Sequence, residues 1–178
     1  MSIELKIFST VTNIAYWGSI KKELYVLLSP TEQQLLGEHP SLLELGSKQK
    51  VADDAQLSLG GYYYLSLAIP NTLGIAVISK AEDFDEENLE SDYLEDYGCN
   101  LELKELQILA ERWRVARHFY GVTSMGGRSK HEPRLFVALA TAIAYTCAGY
   151  VIVMNNDIFD LGVGVYEPEK FQHAEPRF

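Results

Sequence analysis

The chain has 178 residues, of which 47% are hydrophobic and 22% are charged, a composition typical of one folded domain over 1–178. Its net charge of −10 at pH 7 argues against direct binding to nucleic acid or to an anionic membrane, because a phosphate surface would be repelled. Only two cysteines are present and residues 1–6 lack a continuous apolar stretch, so we expect a cytoplasmic protein with neither a disulfide framework nor a signal peptide.

The excess negative charge lies almost entirely in residues 82–96, the acidic segment. It holds nine acids and no base, whereas the rest of the chain holds 15 lysines and arginines against 16 acids. A concentrated field of this kind attracts basic partners.

The first half of the chain predicts a strand, several helices and a hairpin. Ile3, Leu5 and Ile7 alternate with other residues, as in an opening strand. The elements predicted next are a helix over 14–28, a helix with a capping box at Ser29 and Glu32 that stops at Gly37, a short helix over 40–45, an extended stretch over 57–69, a turn at 70–72 and a strand over 73–79.

The second half predicts helices that alternate with strands. Leu103, Leu106, Ala110 and Trp113 recur on one helical face, and a strand is favoured from about His118. The remaining predictions are a loop over 124–130, a helix over 132–148 with Pro133 in its first turn, Gly149 as the left-handed residue that ends it, a strand over 150–154, a last strand with Val163 and Val165, and a short helix over 168–171.

Residues 135–154 form a stretch without charge that is long enough to cross a membrane. Thr141, Thr146 and Gly149 interrupt its apolar character, and its composition changes midway from alanine to β-branched residues. We therefore interpret it as a buried helix followed by a strand. The whole pattern predicts an α+β domain with a largely antiparallel sheet packed with helices.

A glycine-containing loop is a candidate anion or ligand site, formed by Gly126, Gly127, Arg128 and Ser129. The stretch from Gly121 does not match a phosphate-binding P-loop in either register, because the lysine position is occupied by Gly127 or Arg128. Its amides and arginine would still suit a phosphorylated small molecule near a helix start. A plain connecting loop is the alternative.

Metal and nucleophile signals are weak. Asp83, Asp85 and Glu87 have the alternate spacing of calcium ligands, but Asn88 stands where an EF-hand needs glycine and Leu94 stands at the twelfth position. The four histidines are scattered, and neither cysteine has metal-ligand spacing. Cys147 is expected to be a core residue, and we expect no cofactor and no catalytic centre.

The acidic segment and the residue after it also contain aromatic and apolar side chains. Leu89, Tyr93 and Tyr97 have a four-residue period, which suits an amphipathic helix with carboxylates on one side. A solvated loop is the alternative. The candidate partner-binding residues are Asp83, Asp85, Glu86, Glu87, Glu90, Asp92, Tyr93, Glu95, Asp96 and Tyr97.

The C-terminal half also has a characteristic order of segments: Trp113, YGVTSMGGRS at 120–129, the apolar helix, GYVI at 149–152 with Asn156 and Asp157, and GVYEPEKF at 164–171. This arrangement resembles immunity proteins of bacterial polymorphic-toxin and type VI secretion systems. The resemblance implies a cytoplasmic, non-enzymatic protein that binds one toxin tightly and often blocks its active site.

Three functions are therefore expected in order of preference. The first is a toxin inhibitor whose acidic segment contacts a basic toxin. The second is an enzyme that binds a phosphorylated ligand at Gly126, Gly127 and Arg128. The third is an adaptor or structural subunit.

Overall fold

The computed structural model describes residues 3–37, 40–66, 72–79, 103–125, 132–153 and 158–177. These residues form seven strands and five helices. The strands are β1 (Ile3–Ser9), β2 (Ser41–Glu44), β3 (Tyr62–Ser66), β4 (Thr72–Ser79), β5 (His118–Met125), β6 (Tyr150–Val153) and β7 (Gly164–Tyr166). The helices are α1 (Trp17–Leu27), α2 (Pro30–Leu36), α3 (Leu103–Val115), α4 (Glu132–Thr146) and α5 (Pro168–Phe171).

All seven strands belong to one sheet with the order β2-β3-β4-β5-β1-β6-β7. Every neighbouring pair is antiparallel. The first strand of the chain thus lies inside the sheet, between β5 and β6, so the fold is completed only when C-terminal strands pair with it. The predicted α+β class with an antiparallel sheet is confirmed.

One face of the sheet packs against α1 and α4. Ile3, Leu5 and Ile7 of β1 are buried there, because side chains at every second position of a strand point to the same face. The predicted apolar face of α1 joins the same core through Trp17, Ile20 and Leu24. The alternation in the sequence therefore identified this core correctly.

Helix α4 is the most deeply buried element of the described chain. Twelve of its 15 residues are buried, and five of these are alanine or threonine between positions 138 and 144. Small side chains allow α1 and the sheet to approach the helix closely, and alanine also favours helical backbone. The predicted helix is confirmed, although it ends at Thr146, before position 148.

The end of α4 differs from the prediction. Ala148, with φ of 46°, is the left-handed residue, and Gly149 has no positive φ. Gly149 has a different role: a Cβ there would lie 2.0 Å from the carbonyl oxygen of Phe8. The glycine is required because the backbone of β1 passes directly beside it.

Helix α3 covers part of the opposite face of the sheet. Trp113 of α3 packs edge-to-face against Phe8 and at a tilt against Phe119, with ring centroids 5.3 Å and 4.7 Å away. Ile152 and Val165 extend this second cluster toward the edge strand β7. The predicted helical face is confirmed at Ala110 and Trp113, which pack against the cluster.

The predicted short helix over 40–45 is wrong, because this segment is strand β2. Its residues pair with β3, so that Leu42 lies opposite Leu65, and both side chains are buried. On its other side, the Leu42 carbonyl accepts a hydrogen bond of 2.8 Å from the amide of Val51. Hydrogen bonds to residues distant in sequence make this segment a strand, and the local sequence does not reveal them.

Two predicted boundaries also shift. Helix α1 begins at Trp17, three positions after the predicted start, since Tyr16 forms a bridge with Gln56. Among the described residues of the extended stretch predicted over 57–69, only Tyr62–Ser66 form a strand, because the amide of Gly61 turns back to the carbonyl of Ser58 at 2.8 Å. Residues 67–71, which hold most of the predicted turn, lie outside the described ranges.

Several local predictions are confirmed in detail. The side chain of Ser29 accepts a hydrogen bond from the Glu32 amide, while the Glu32 carboxylate accepts one from the Ser29 amide, so both halves of the capping box form. The antiparallel pairing of β3 with β4, the strand β6 and the helix α5 are also present. Strand β7 includes the predicted Val165 but begins at Gly164, so Val163 lies just outside it. Within the described ranges, no helix has both the length and the apolarity that crossing a bilayer requires.

Candidate functional site

Both sites predicted from the sequence lie outside the described residues. This holds for every candidate contact residue from Asp83 to Tyr97 and for the loop over 126–129. The elements on either side of the acidic segment are described. Strand β4 ends at Ser79, which lies opposite His118 of β5, and helix α3 begins at Leu103.

The start of the glycine-containing loop is a correction to the sequence prediction. Ser124 and Met125 belong to β5, and Gly121 lies within the sheet, opposite Ala76 and Lys6. A P-loop that begins at Gly121 is therefore excluded by geometry as well as by sequence.

The two ends of this loop are joined by a buried hydrogen bond. The hydroxyl of Ser124 donates to the carboxylate of Glu132, and both side chains are buried. Glu132 occupies the first turn of α4, where a negative charge stabilises the exposed amides and the helix dipole. The carboxyl group of Glu132 therefore occupies the helix start that an anionic ligand would use.

A buried polar cluster lies where β1 ends and β5 begins. The amide of Ala15 donates to the hydroxyl of Tyr120 at 2.8 Å, and His118 Nε2 lies 3.1 Å from the same oxygen. Burial lowers the pKa of His118 and raises the pKa of Tyr120 well above its ordinary value. Both groups are therefore held in their neutral forms.

Cys147 belongs to the core, as predicted. Burial raises the pKa of its thiol to about 12, and hydrogen bonds with Ser9 and the backbone only partly oppose this effect. The thiolate is the reactive form of cysteine, so this side chain is not poised as a nucleophile at neutral pH. Among the residues that the structure describes, no group of three or more His, Cys, Asp and Glu side chains is placed to hold a metal ion.

An open cavity lies where α4 ends and where β6 and α5 begin, and we call it the Tyr145 cavity. It measures about 360 Å³. Tyr145 and Tyr150 supply its aromatic rings, and Glu167 and Glu169 supply its carboxylates. The cavity therefore combines aromatic surface with negative charge.

Local sequence explains how this cavity is built. Ala144 and Ala148 line it with small side chains, which leaves space between the aromatic and acidic residues. Pro168 stands at the first turn of α5, where its missing amide hydrogen costs nothing, so the short helix begins between Glu167 and Glu169. Neither carboxylate forms an ion pair with a described residue.

A second cavity of about 270 Å³, the Arg112 cavity, shares Tyr150 and Glu167 with the first. The guanidinium of Arg112 lies 4.0 Å from the centre of the Tyr150 ring. The ammonium of Lys170 lies 5.0 Å from the centre of the Tyr166 ring. Cations over aromatic faces are stabilised by the ring quadrupole. Opposite charges therefore lie on the two sides of Tyr150 and Glu167.

Sequence reasoning missed this region. The residues of the two cavities come from α3, α4, β6, β7 and α5, so no local spacing brings them together. The only local signal is the sequence Glu167-Pro168-Glu169, which places two acids around the start of a helix.

No protein-family model, curated protein or solved structure matches this chain. The resemblance of the C-terminal half to immunity proteins therefore stays a prediction.

Proposed function

We propose that this chain is an immunity protein that binds one cognate bacterial protein toxin and neutralises it by occlusion. The observation that carries the proposal is the concentration of charge: nine acids and no base lie within residues 82–96. Such a segment speeds association with a basic protein through long-range attraction.

The way the segment is attached to the domain supports this proposal. It connects β4, which is paired on both sides within the sheet, to α3, which is packed through Trp113. Two packed elements of the domain therefore flank the acidic segment in the sequence.

The chemistry of the described residues also favours binding over catalysis. The thiol of Cys147 and the ring of His118 are buried. Burial raises the pKa of the thiol and lowers the pKa of the ring, so both groups are favoured in their neutral forms. A toxin that acts on an anionic substrate, such as a nuclease or a nucleotide-using enzyme, presents the basic cleft that carboxylates would occupy.

The direct test mixes the purified chain with the toxin encoded beside it. We expect a stoichiometric complex that survives gel filtration and abolishes toxicity in a bacterial growth assay. Turnover of a phosphorylated compound that is lost on Arg128→Ala would instead identify an enzyme. A stable complex that leaves the toxin active would identify an adaptor.

The role of the acidic segment is tested by charge reversal with a matched control. One variant carries Glu86→Lys, Glu87→Lys, Glu90→Lys and Asp92→Lys. The control carries four reversals at exposed acids elsewhere on the described surface: Glu4→Lys, Asp54→Lys, Glu111→Lys and Glu175→Lys. Both variants change the net charge equally, so a difference between them reports position.

We expect the first variant to associate at least about tenfold more slowly with the toxin and to lose most of the salt dependence of the association rate. The control should retain most of the wild-type rate. Equal rates for the two variants would remove the acidic segment from the interface.

A further inference from the structure

We propose that the Tyr145 cavity receives the guanidinium group of an arginine side chain from the protein partner. This inference rests on the proposed function, because the partner is the basic toxin described above. It adds a contact on the described surface that is separate in sequence from the acidic segment.

The first step is charge. Glu167 and Glu169 line the cavity without an ion-pair partner among the described residues, and none of the described residues that line it is a lysine, an arginine or a histidine. Burial raises the pKa of the Tyr145 hydroxyl, and the negative charges of Glu169 and of Glu23, which lies outside the cavity lining, raise it further. A cation is therefore the ligand charge that the cavity favours.

The second step is size. At about 360 Å³, the cavity lies near the lower end of the range for small-ligand sites. An open cavity of this volume can accept one long side chain. Ala144 and Ala148 keep the space open because their side chains reach no further than Cβ.

The third step distinguishes a guanidinium from an ammonium. A guanidinium is planar, stacks on an aromatic ring and binds carboxylates through several N–H groups at once. Arg112 already lies over the Tyr150 ring and lines only the Arg112 cavity. Tyr145 is therefore the ring that the incoming group meets, with Glu167 and Glu169 as acceptors.

The cavity is tested directly by nuclear magnetic resonance titration of the full ¹⁵N-labelled chain. The probe is N-acetyl-arginine methylamide, and its neutral counterpart is N-acetyl-citrulline methylamide. We expect the arginine probe to shift the amide signals of Ala148 and Gly149 and to bind at least about tenfold more tightly than the citrulline probe. Equal binding of the two probes, or no shift at these amides, would overturn the cation site.

The corresponding lysine probe decides the type of cation. An ammonium that binds as tightly as the guanidinium would overturn the choice of arginine. Weaker binding by lysine supports it, since stacking and multiple hydrogen bonds are available only to the planar group.

The partner contact is tested in the toxin complex with paired variants. Glu167→Gln with Glu169→Gln removes both cavity charges, whereas Asp54→Asn with Glu175→Gln removes two exposed charges outside the cavity lining. We expect about tenfold weaker toxin binding for the first pair and unchanged binding for the second.

These outcomes separate the two proposals. A wild-type complex that is insensitive to the cavity pair would overturn the arginine contact and leave the proposed function standing. A wild-type chain that forms no complex would overturn the proposed function and this choice of partner together.

Discussion

Substitution of Gly149 by alanine tests the close approach of the β1 backbone to the residues that follow α4. The added Cβ would lie 2.0 Å from the Phe8 carbonyl oxygen and 2.7 Å from Cys147 Sγ. Carbon and oxygen atoms normally meet at more than 3 Å, so β1 and the end of α4 must separate by roughly 1 Å. The obstacle is backbone, so rotation of a side chain cannot relieve it.

Overpacking of a core usually costs 1–3 kcal/mol, and a rigid backbone obstacle places Gly149→Ala at about 3 kcal/mol or above. With a urea dependence of about 2–3 kcal/mol per molar, this loss lowers the unfolding midpoint by about 1 M or more. The transition is measured by tryptophan fluorescence, because Trp17 is fully buried in the same core.

The matched control is Gly46→Ala, where an added Cβ has nothing within 4 Å. We expect the free energy of unfolding of this variant to stay within about 0.5 kcal/mol of wild type. Two variants of equal stability would refute the close approach of β1 to Gly149.

Four further predictions concern Ala148 at the end of α4 and three buried side chains. Ala148→Gly should stabilise the chain by about 0.5–1 kcal/mol in urea unfolding, because it removes the strain of alanine at φ 46°. Tyr120→Phe should cost about 1–3 kcal/mol in the same assay, since it leaves the buried amide of Ala15 without its acceptor. Burial lowers the pKa of His118 below its ordinary 6.5, so its contribution to stability is complete above pH 6.5 and is lost as the pH falls toward the native pKa. The decrease in urea midpoint between about pH 7.5 and about pH 5.5 should therefore be smaller for His118→Gln than for wild type, and an unchanged decrease would contradict this assignment. In a Cys99→Ser background, Cys147 should react with a thiol reagent at about pH 8 only as fast as the chain unfolds, because burial raises its pKa to about 12; rapid native-state labelling would show that the thiol is accessible.

Elements defined by local patterns were predicted well from the sequence. The two-residue period of Ile3, Leu5 and Ile7 identified β1 and its buried face, and Ser29 and Glu32 form the expected capping box. These features follow from interactions within a few residues, so no knowledge of distant segments is needed.

The segment over 40–45 shows where such reasoning fails. Its leucines suit a short helix as well as a strand, and pairing with β3 decides between them. The left-handed position is a similar case. Glycine usually occupies the left-handed position after a helix. Here Ala148 has the positive φ, and Gly149 is needed because the Phe8 backbone lies too close for a side chain.

The sequence alone determined the fold class, the central apolar helix and the concentration of negative charge in one segment. These properties depend on composition and on spacing along the chain. Tertiary structure alone decided that Tyr145, Tyr150, Glu167 and Glu169 surround one cavity. Tyr145, Tyr150 and Glu169 belong to α4, β6 and α5, and Glu167 immediately precedes α5. Only the packing of α4 and α5 beside the sheet brings these side chains together, because such contacts depend on distance in space and not on separation in sequence.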